Sequence, residues 1–163
     1  MTAEPTIRPA TMHDFDAVSR LLGEVDQHHV RLRPDVFQPF DDPEGMRQRI
    51  AGFVEHDEAE IMVAEIDHKI VGLATVQIHD NPDAPMFRPG RRAIMSDLVV
   101  EPAFRRAGIG QSLLNRITEW TRSRGFTSLG LNVWNANEEG LSFFTAAGFK
   151  PRCQQMDLEI GAS

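Results

Sequence analysis

The sequence predicts an α/β fold: a single domain over residues 5–160 with a mixed, mostly antiparallel sheet flanked by about four helices. Three observations carry that expectation. Two β-rich runs, Glu60 to Ile66 and Ile70 to Ile78, are separated only by Asp67-His68-Lys69, a spacing that makes a hairpin and therefore an antiparallel pair. A strand-like run, a helix-period run and a second strand-like run follow one another between Ala93 and Trp134, which is a β-α-β unit and adds a parallel neighbour. Helix-period segments also precede the hairpin and follow the β-α-β unit.

The elements follow in order. Thr11 and Asp14 have the spacing of a capping box, and Phe15, Val18, Leu22 and Val25 recur at helical intervals, giving a helix over 12–27 that closes near His28-His29. Arg33 to Pro39 is a proline-studded connector. Asp42-Pro43 is an N-cap with proline at the first helical position, and Met46, Ile50, Phe53 and Val54 then form one face. After the hairpin, Asn81 to Gly90 holds Pro82, Pro85 and Pro89 and reads as a loop before the strand Ala93 to Val100. Ile109, Leu113, Ile117 and Trp120 mark a helix closing near Gly125, and Leu129, Leu131 and Val133 alternate through a strand over 128–134. Asn137 caps a short helix that ends at Gly148, and Met156, Leu158 and Ile160 alternate with Asp157 and Glu159 in a last strand over Cys153–Ile160.

Composition narrows the function. The chain has 163 residues, 41% of them hydrophobic, enough to bury a core without disulfides or a structural metal. Its net charge of −7 and lack of a basic run argue against nucleic acid as a partner. The longest apolar run, Ile70 to Ala74, is far short of the ~20 residues of a membrane span, and the single cysteine, Cys153, fits a reducing compartment, so a cytoplasmic protein is expected. No His-x3-His pair or Cys cluster suggests a metal. There are ten Phe and two Trp but no Tyr, which removes any phenolic proton donor from the chain.

One segment carries chemistry. Leu98 to Gly110 runs from a strand through a tight turn into a helix, and Arg105-Arg-Ala-Gly108-Ile-Gly110 lies at the helix start. Unpaired N–H groups and the positive end of the helix dipole make such a start an anion site, glycines let a diphosphate approach the main chain, and the two arginines add charge. The same glycines also suit a plain strand-to-helix turn. A dinucleotide fingerprint is excluded because Leu113 stands three residues after Gly110, and a P-loop because no Gly-Lys-Ser/Thr follows.

Arg105-x-x-Gly108-x-Gly110, with Asp97-Leu-Val-Val-Glu-Pro before it and Asn137-Glu-Glu-Gly-Leu-Ser-Phe-Phe-Thr-Ala-Ala-Gly-Phe149 after it, resembles the GNAT superfamily of N-acetyltransferases. The resemblance implies acetyl-CoA as co-substrate, an amine as acceptor, and fourth and fifth strands that splay apart around the pantetheine arm. It places that arm along Leu98, Val99 and Val100, the diphosphate on Arg105, Arg106, Ala107, Gly108, Ile109, Gly110 and Gln111, and a pantetheine contact on Asn137, which serves equally as a helix N-cap. Dimerisation is also common in such a family, although no segment specifies an interface. The tyrosine often assigned there as general acid is replaced by Phe144, a ring that suits either the core or a place beside the thioester.

Magnitudes show what that replacement costs. A thiol of pKa roughly 8.5 leaves as thiolate at neutral pH at a cost of about 2 kcal/mol, whereas removing a proton from an alkylammonium of pKa roughly 10.4 costs about 4 to 5 kcal/mol. Proton removal from the amine therefore matters more than protonation of the leaving group. Asp97 heads the candidates for that base because it stands one residue before the expected pantetheine edge, with His79, Asp80, Glu159 and His28-His29 behind it; pairing with an arginine is the other use of an Asp in an apolar strand. His29, Arg33 and Asp35 lie where the family's acceptor pocket is commonly bordered. Cys153 reads as packing. The expected activity is transfer of acetyl to a small primary amine by direct attack, with a peptide N-acetyltransferase and a non-catalytic acyl-CoA sensor as the alternatives.

Overall fold

The computed structural model describes residues 4–161. Its first strand, β1 (Thr6–Pro9), carries no sequence signal, being four residues long with a terminal proline and no alternation. It pairs antiparallel along β2 (Ala59–Ile66), where an edge position tolerates the proline, and Arg8 ties it down by reaching Glu65 at 2.7 Å and Asp14 at 2.8 Å. The capping box forms, with the Thr11 N–H donating to Asp14 at 2.9 Å, and a 3-10 turn over Met12–Asp14 leads into α1 (Phe15–Leu32). That helix runs past the expected end at His28-His29. Nothing breaks it until Pro34 pushes Arg33 out of the helical region, to φ −140°.

The second helix, α2 (Pro43–Val54), starts where Asp42-Pro43 predicts, the Asp42 side chain accepting from the Gly45 N–H at 2.9 Å. β2 turns into β3 (Lys69–Asp80) through Asp67 and His68, both at positive φ (48° and 62°), the pairing of a type I′ turn whose twist matches the flanking strands. The chain returns through β4 (Arg91–Val100), crosses over by α3 (Ile109–Ser123) and re-enters the sheet as β5 (Leu129–Leu131). The sheet order is β1-β2-β3-β4-β5, antiparallel throughout except for the parallel β4–β5 pair. This is the mixed, mostly antiparallel sheet expected.

Strand alternation divides the faces. Ile61, Val63 and Leu73 join Val18, Leu21 and Leu22 of α1 and Met46, Ile50 and Phe53 of α2 in one core. Gly72, one step out of phase with Leu73, faces α3: a Cβ there would lie 3.4 Å from Leu113 and 2.9 Å from the Val99 carbonyl. The β4 carbonyl, rather than the helix, is what keeps this position glycine.

Val133 begins a second compact unit. Within it Asn137 caps α4 (Glu138–Ala146), accepting from the Gly140 N–H at 3.0 Å, and Gly148 (φ 98°) ends the helix as expected. The strand expected over Cys153–Ile160 does not form. A strand exists only through its ladder, and among the described residues no strand pairs with this segment, so Met156, Leu158 and Ile160 stay more than four-fifths exposed despite their alternation. No described helix is long and apolar enough to cross a membrane, and no group of three or more His, Cys, Asp or Glu among the described residues is placed to hold a metal ion.

Candidate functional site

β4 is paired along both edges only at its start. β5 accompanies it at Ala93, Ile94 and Met95 and then stops; past an irregularity at Ser96 and Asp97, Leu98 to Val100 pair with β3 alone. Backbone groups of successive strand residues face alternate neighbours. The Glu101 N–H donates to the Val71 carbonyl at 2.8 Å, which sets the phase: Val99 shares it and turns its N–H and C=O to Leu73, whereas Leu98 and Val100 present theirs to the edge that β5 has left. Of the three residues expected along this edge, two therefore offer it backbone groups and Val99 does not. Glu101 holds the end of β4 in place through Lys69 and Arg20, each at 2.7 Å. Although burial pushes its carboxyl up, those two cations bring it below the ordinary range.

Beyond a 3-10 turn at Pro102–Phe104 the chain enters α3 through two left-handed residues, Arg106 (φ 63°) and Gly108 (φ 79°), on either side of Ala107. Glycine takes that conformation without strain; arginine does so at a cost of about 1 kcal/mol. The first helical bond runs from the Ser112 N–H to the Gly108 carbonyl at 3.0 Å. The N–H groups of Ile109, Gly110 and Gln111 have no helix carbonyl to reach, no side chain caps them, and the first turn contains no acid. Ile109 anchors the turn in the core, while Arg105, Arg106, Ala107 and Gln111 are exposed. Arg105 folds back so that its Nε donates to the Val100 carbonyl at 2.9 Å, joining the helix start to the open strand edge.

Asp97 lies at the bend between the paired and open parts of β4 and is 6% exposed. The β3–β4 register shifts between Ala74 and Val76, so that Thr75 alone faces two residues of β4, Ser96 and Asp97. Its hydroxyl fills the gap, accepting the Asp97 N–H at 3.0 Å and donating to the carboxylate Oδ2 at 2.7 Å. Arg49 of α2 meets Oδ1 at 3.2 Å and Asp26 of α1 at 3.0 Å. Both carboxylate oxygens of the residue expected as base are thus engaged, one by a cation and one by a hydroxyl. Sequence reading did not pick out Thr75, Arg49 or Asp26. The available signal was a pair of polar residues, Thr75 and Asp97, each within an apolar run of strands that the hairpin count makes neighbours.

Residues 24–149 match the sequence pattern of the Acetyltransferase (GNAT) family, more than half of the chain. The chain belongs to the GNAT family. A curated relative, glucosamine 6-phosphate N-acetyltransferase from Trypanosoma brucei brucei, is 33% identical over 94 residues, 56% of this chain and 58% of that enzyme, so the matched stretch is under two thirds of the relative's length. Among solved structures, a mutant of the BH1408 protein from Bacillus halodurans is 25% identical, with a TM-score of 0.84 over 95% of this chain and 99% of that one. The aminoglycoside N-acetyltransferase AAC(6')-Iy in complex with CoA shares the fold at 14% identity, with a TM-score of 0.76 over 99% and 98% of the two chains.

The GNAT motif falls on the open helix start and strand edge just described. An amide-rich arm with a terminal diphosphate fits that donor set: strand groups at Leu98 and Val100, then three unused helix amides beside two arginines. The remaining expected residues belong to α1 and the segment after it, and to the second unit. His29 and Arg33 stand at the end of α1, where the His29 ring stacks on Phe37 at 5.1 Å and Arg33 pairs with Asp35 at 2.6 Å, holding the Asp35 carboxyl below its usual range. Asp26 and His29, three residues apart, share one face of α1, so His29 lies one turn along the helix from the residue that Arg49 ties to Asp97. Asn137 and Phe144 belong to the second unit, where Asn137 caps α4 and Phe144 meets Phe143 and Phe149 edge to face at 5.3 and 5.6 Å.

Proposed function

We propose that the protein is an acetyl-CoA-dependent N-acetyltransferase acting on a primary amine of a small molecule, with residues 5–160 working as one domain. The observation that carries this reading is the continuity of the open β4 edge with the uncapped start of α3, two sets of unused donors joined by Arg105. The curated relative, named for an amino-sugar phosphate substrate, supports a small-molecule amine as acceptor. Acetyl-CoA supplies the activated acyl group. Ile109, Gly110 and Gln111 meet its diphosphate with backbone N–H groups, Arg106 adds charge, and the edge groups of Leu98 and Val100 orient the arm.

Transfer is a direct displacement. The nitrogen of the neutral amine bonds to the acetyl carbon, the carbon–sulfur bond breaks, the nitrogen gives up one proton to water, and the thiolate takes a proton from solvent. An edge N–H beside the thioester polarises its carbonyl without any side chain. No phenol is required, because thiolate release costs only about 2 kcal/mol at neutral pH. His29, Arg33 and Asp35 border the amine.

Thiol release from acetyl-CoA in the presence of a panel of amines, amino-sugar phosphates and peptides tests this reading. Release is expected with small amines. Release with peptides alone identifies a peptide acetyltransferase, binding without release a sensor, and no thermal shift at high acetyl-CoA overturns the assignment. In the same assay Phe144→Tyr changes turnover by less than about thirtyfold, the equivalent of ~2 kcal/mol.

A further inference from the structure

We infer that Thr75, Asp97 and Arg49 are positioning residues that set the bend where β4 parts from β5, and that Asp97 is not the proton acceptor. The inference rests on the acyl-CoA reading of the β4 edge. β5 stops at Met95, the register shift falls at Thr75, and Asp97 stands between that shift and the open edge at Leu98. Regular pairing is interrupted there, and the Thr75 side chain takes over from the ladder, bonding both the Asp97 N–H and its carboxylate. The bend is consequently held by a side-chain clamp as well as by the ladder.

The helices fix the clamp from above. Arg49 spans two carboxylates with its planar fork, Asp97 on the strand and Asp26 on α1, so α1, α2, β3 and β4 meet in one polar chain. A carboxylate that must accept a proton in each turnover needs an oxygen open to the amine. Asp97 directs Oδ1 to Arg49 and Oδ2 to Thr75, and the residue is 6% exposed. Its geometry suits holding Leu98 and Val100 at a fixed angle to α3 better than it suits proton transfer. Asp26 carries the consequence further: through Arg49, α1, the helix that also bears His29, is fastened to the strand that on this reading presents the thioester.

Hydrogen exchange of the full chain, read at the bonded amides of Asp97 and Val99, tests the clamp without any turnover. Thr75→Val is expected to speed exchange there by roughly tenfold to a hundredfold, the span that loss of one buried hydrogen bond implies, and Thr75→Ser to restore it. Should Thr75→Val fail to fold, Arg49→Lys keeps the charge but loses the two-carboxylate fork and is expected to speed the same amides. Unchanged exchange in a folded variant overturns the clamp. In the acetyl-transfer assay, Asp97→Asn is expected to lower kcat/KM while leaving the shape of its pH profile intact; loss of the acid limb would make Asp97 the base and overturn the second half of the inference. Failure of the wild-type protein to bind acetyl-CoA would instead sink the functional reading, and the exchange result would still decide the clamp.

Discussion

α2 and α3 are helices of similar length that begin in opposite ways. At α2, Asp42 accepts from the Gly45 N–H, Pro43 has no N–H to satisfy, and Glu44 meets the positive end of the dipole. At α3, the capping position is Gly108, the first turn has no acid, and arginines flank the entry. A capping side chain at α3 would stabilise the helix by about 1 kcal/mol. That contribution is forgone where a ligand can supply the acceptor, and taken where the helix has only to fold.

The largest effect is expected from the residue that keeps the α3 start open. Gly108→Val forces a β-branched side chain into a φ of 79°, so the turn must reorganise. Acetyl-CoA affinity by calorimetry is expected to fall by about a hundredfold or more, with a stability loss of ~1–2 kcal/mol.

A helix start closed by charge behaves differently again. The Asp14 carboxyl, capping the entry to α1, is held at about 2 by its hydrogen bond to Arg8, against the ordinary 3.8, with burial opposing. Because the folded value is depressed, the stabilisation is fully present above pH 4 and is lost as the pH falls from about 4 towards 2. Acid denaturation of wild type and Asp14→Asn, followed by circular dichroism, should converge over that window. The difference above it is about 1–2 kcal/mol after allowing for the partial exposure of Arg8.

Exchanging the chemistry of the two starts gives the smallest and most diagnostic effect. Gln111→Glu gives α3 the acid that α2 already has. It is expected to raise stability by about 0.3–1 kcal/mol while weakening acetyl-CoA several-fold, because the carboxylate complements the same dipole that the diphosphate would use. Asp42→Ala should do the reverse at α2, costing ~1 kcal/mol of stability with affinity unchanged. Parallel changes in stability and affinity at either site would break the contrast.

Much of the fold was legible because its signals are local. The Asp42-Pro43 start, the hairpin turn, formed by Asp67 and His68 within the expected Asp67-His68-Lys69, and the glycine at Gly148 each act within a few residues, and each appears where the pattern puts it. The misreadings came from elements that depend on a partner. β1 is a strand because β2 accepts it, Cys153–Ile160 has strand alternation without a ladder, and β5 reaches only Leu129–Leu131 of the expected 128–134 because its pairing with β4 ends at Met95. Asp97 shows the same limit within the site: its neighbours in sequence suggested a base, while its neighbours in space are Thr75 from another strand and Arg49 from a helix.

The sequence by itself determined the class of the sheet, the glycine-bearing turn into α3 from Arg105 to Gln111 and the absence of any phenolic acid, since these follow from spacing, chirality and composition. Only the tertiary structure decided which residues of β4 face the open edge and what Asp97 touches. Edge phase is set by a register between strands, and a carboxylate's partners by packing across helices and sheet; neither quantity is local to the chain.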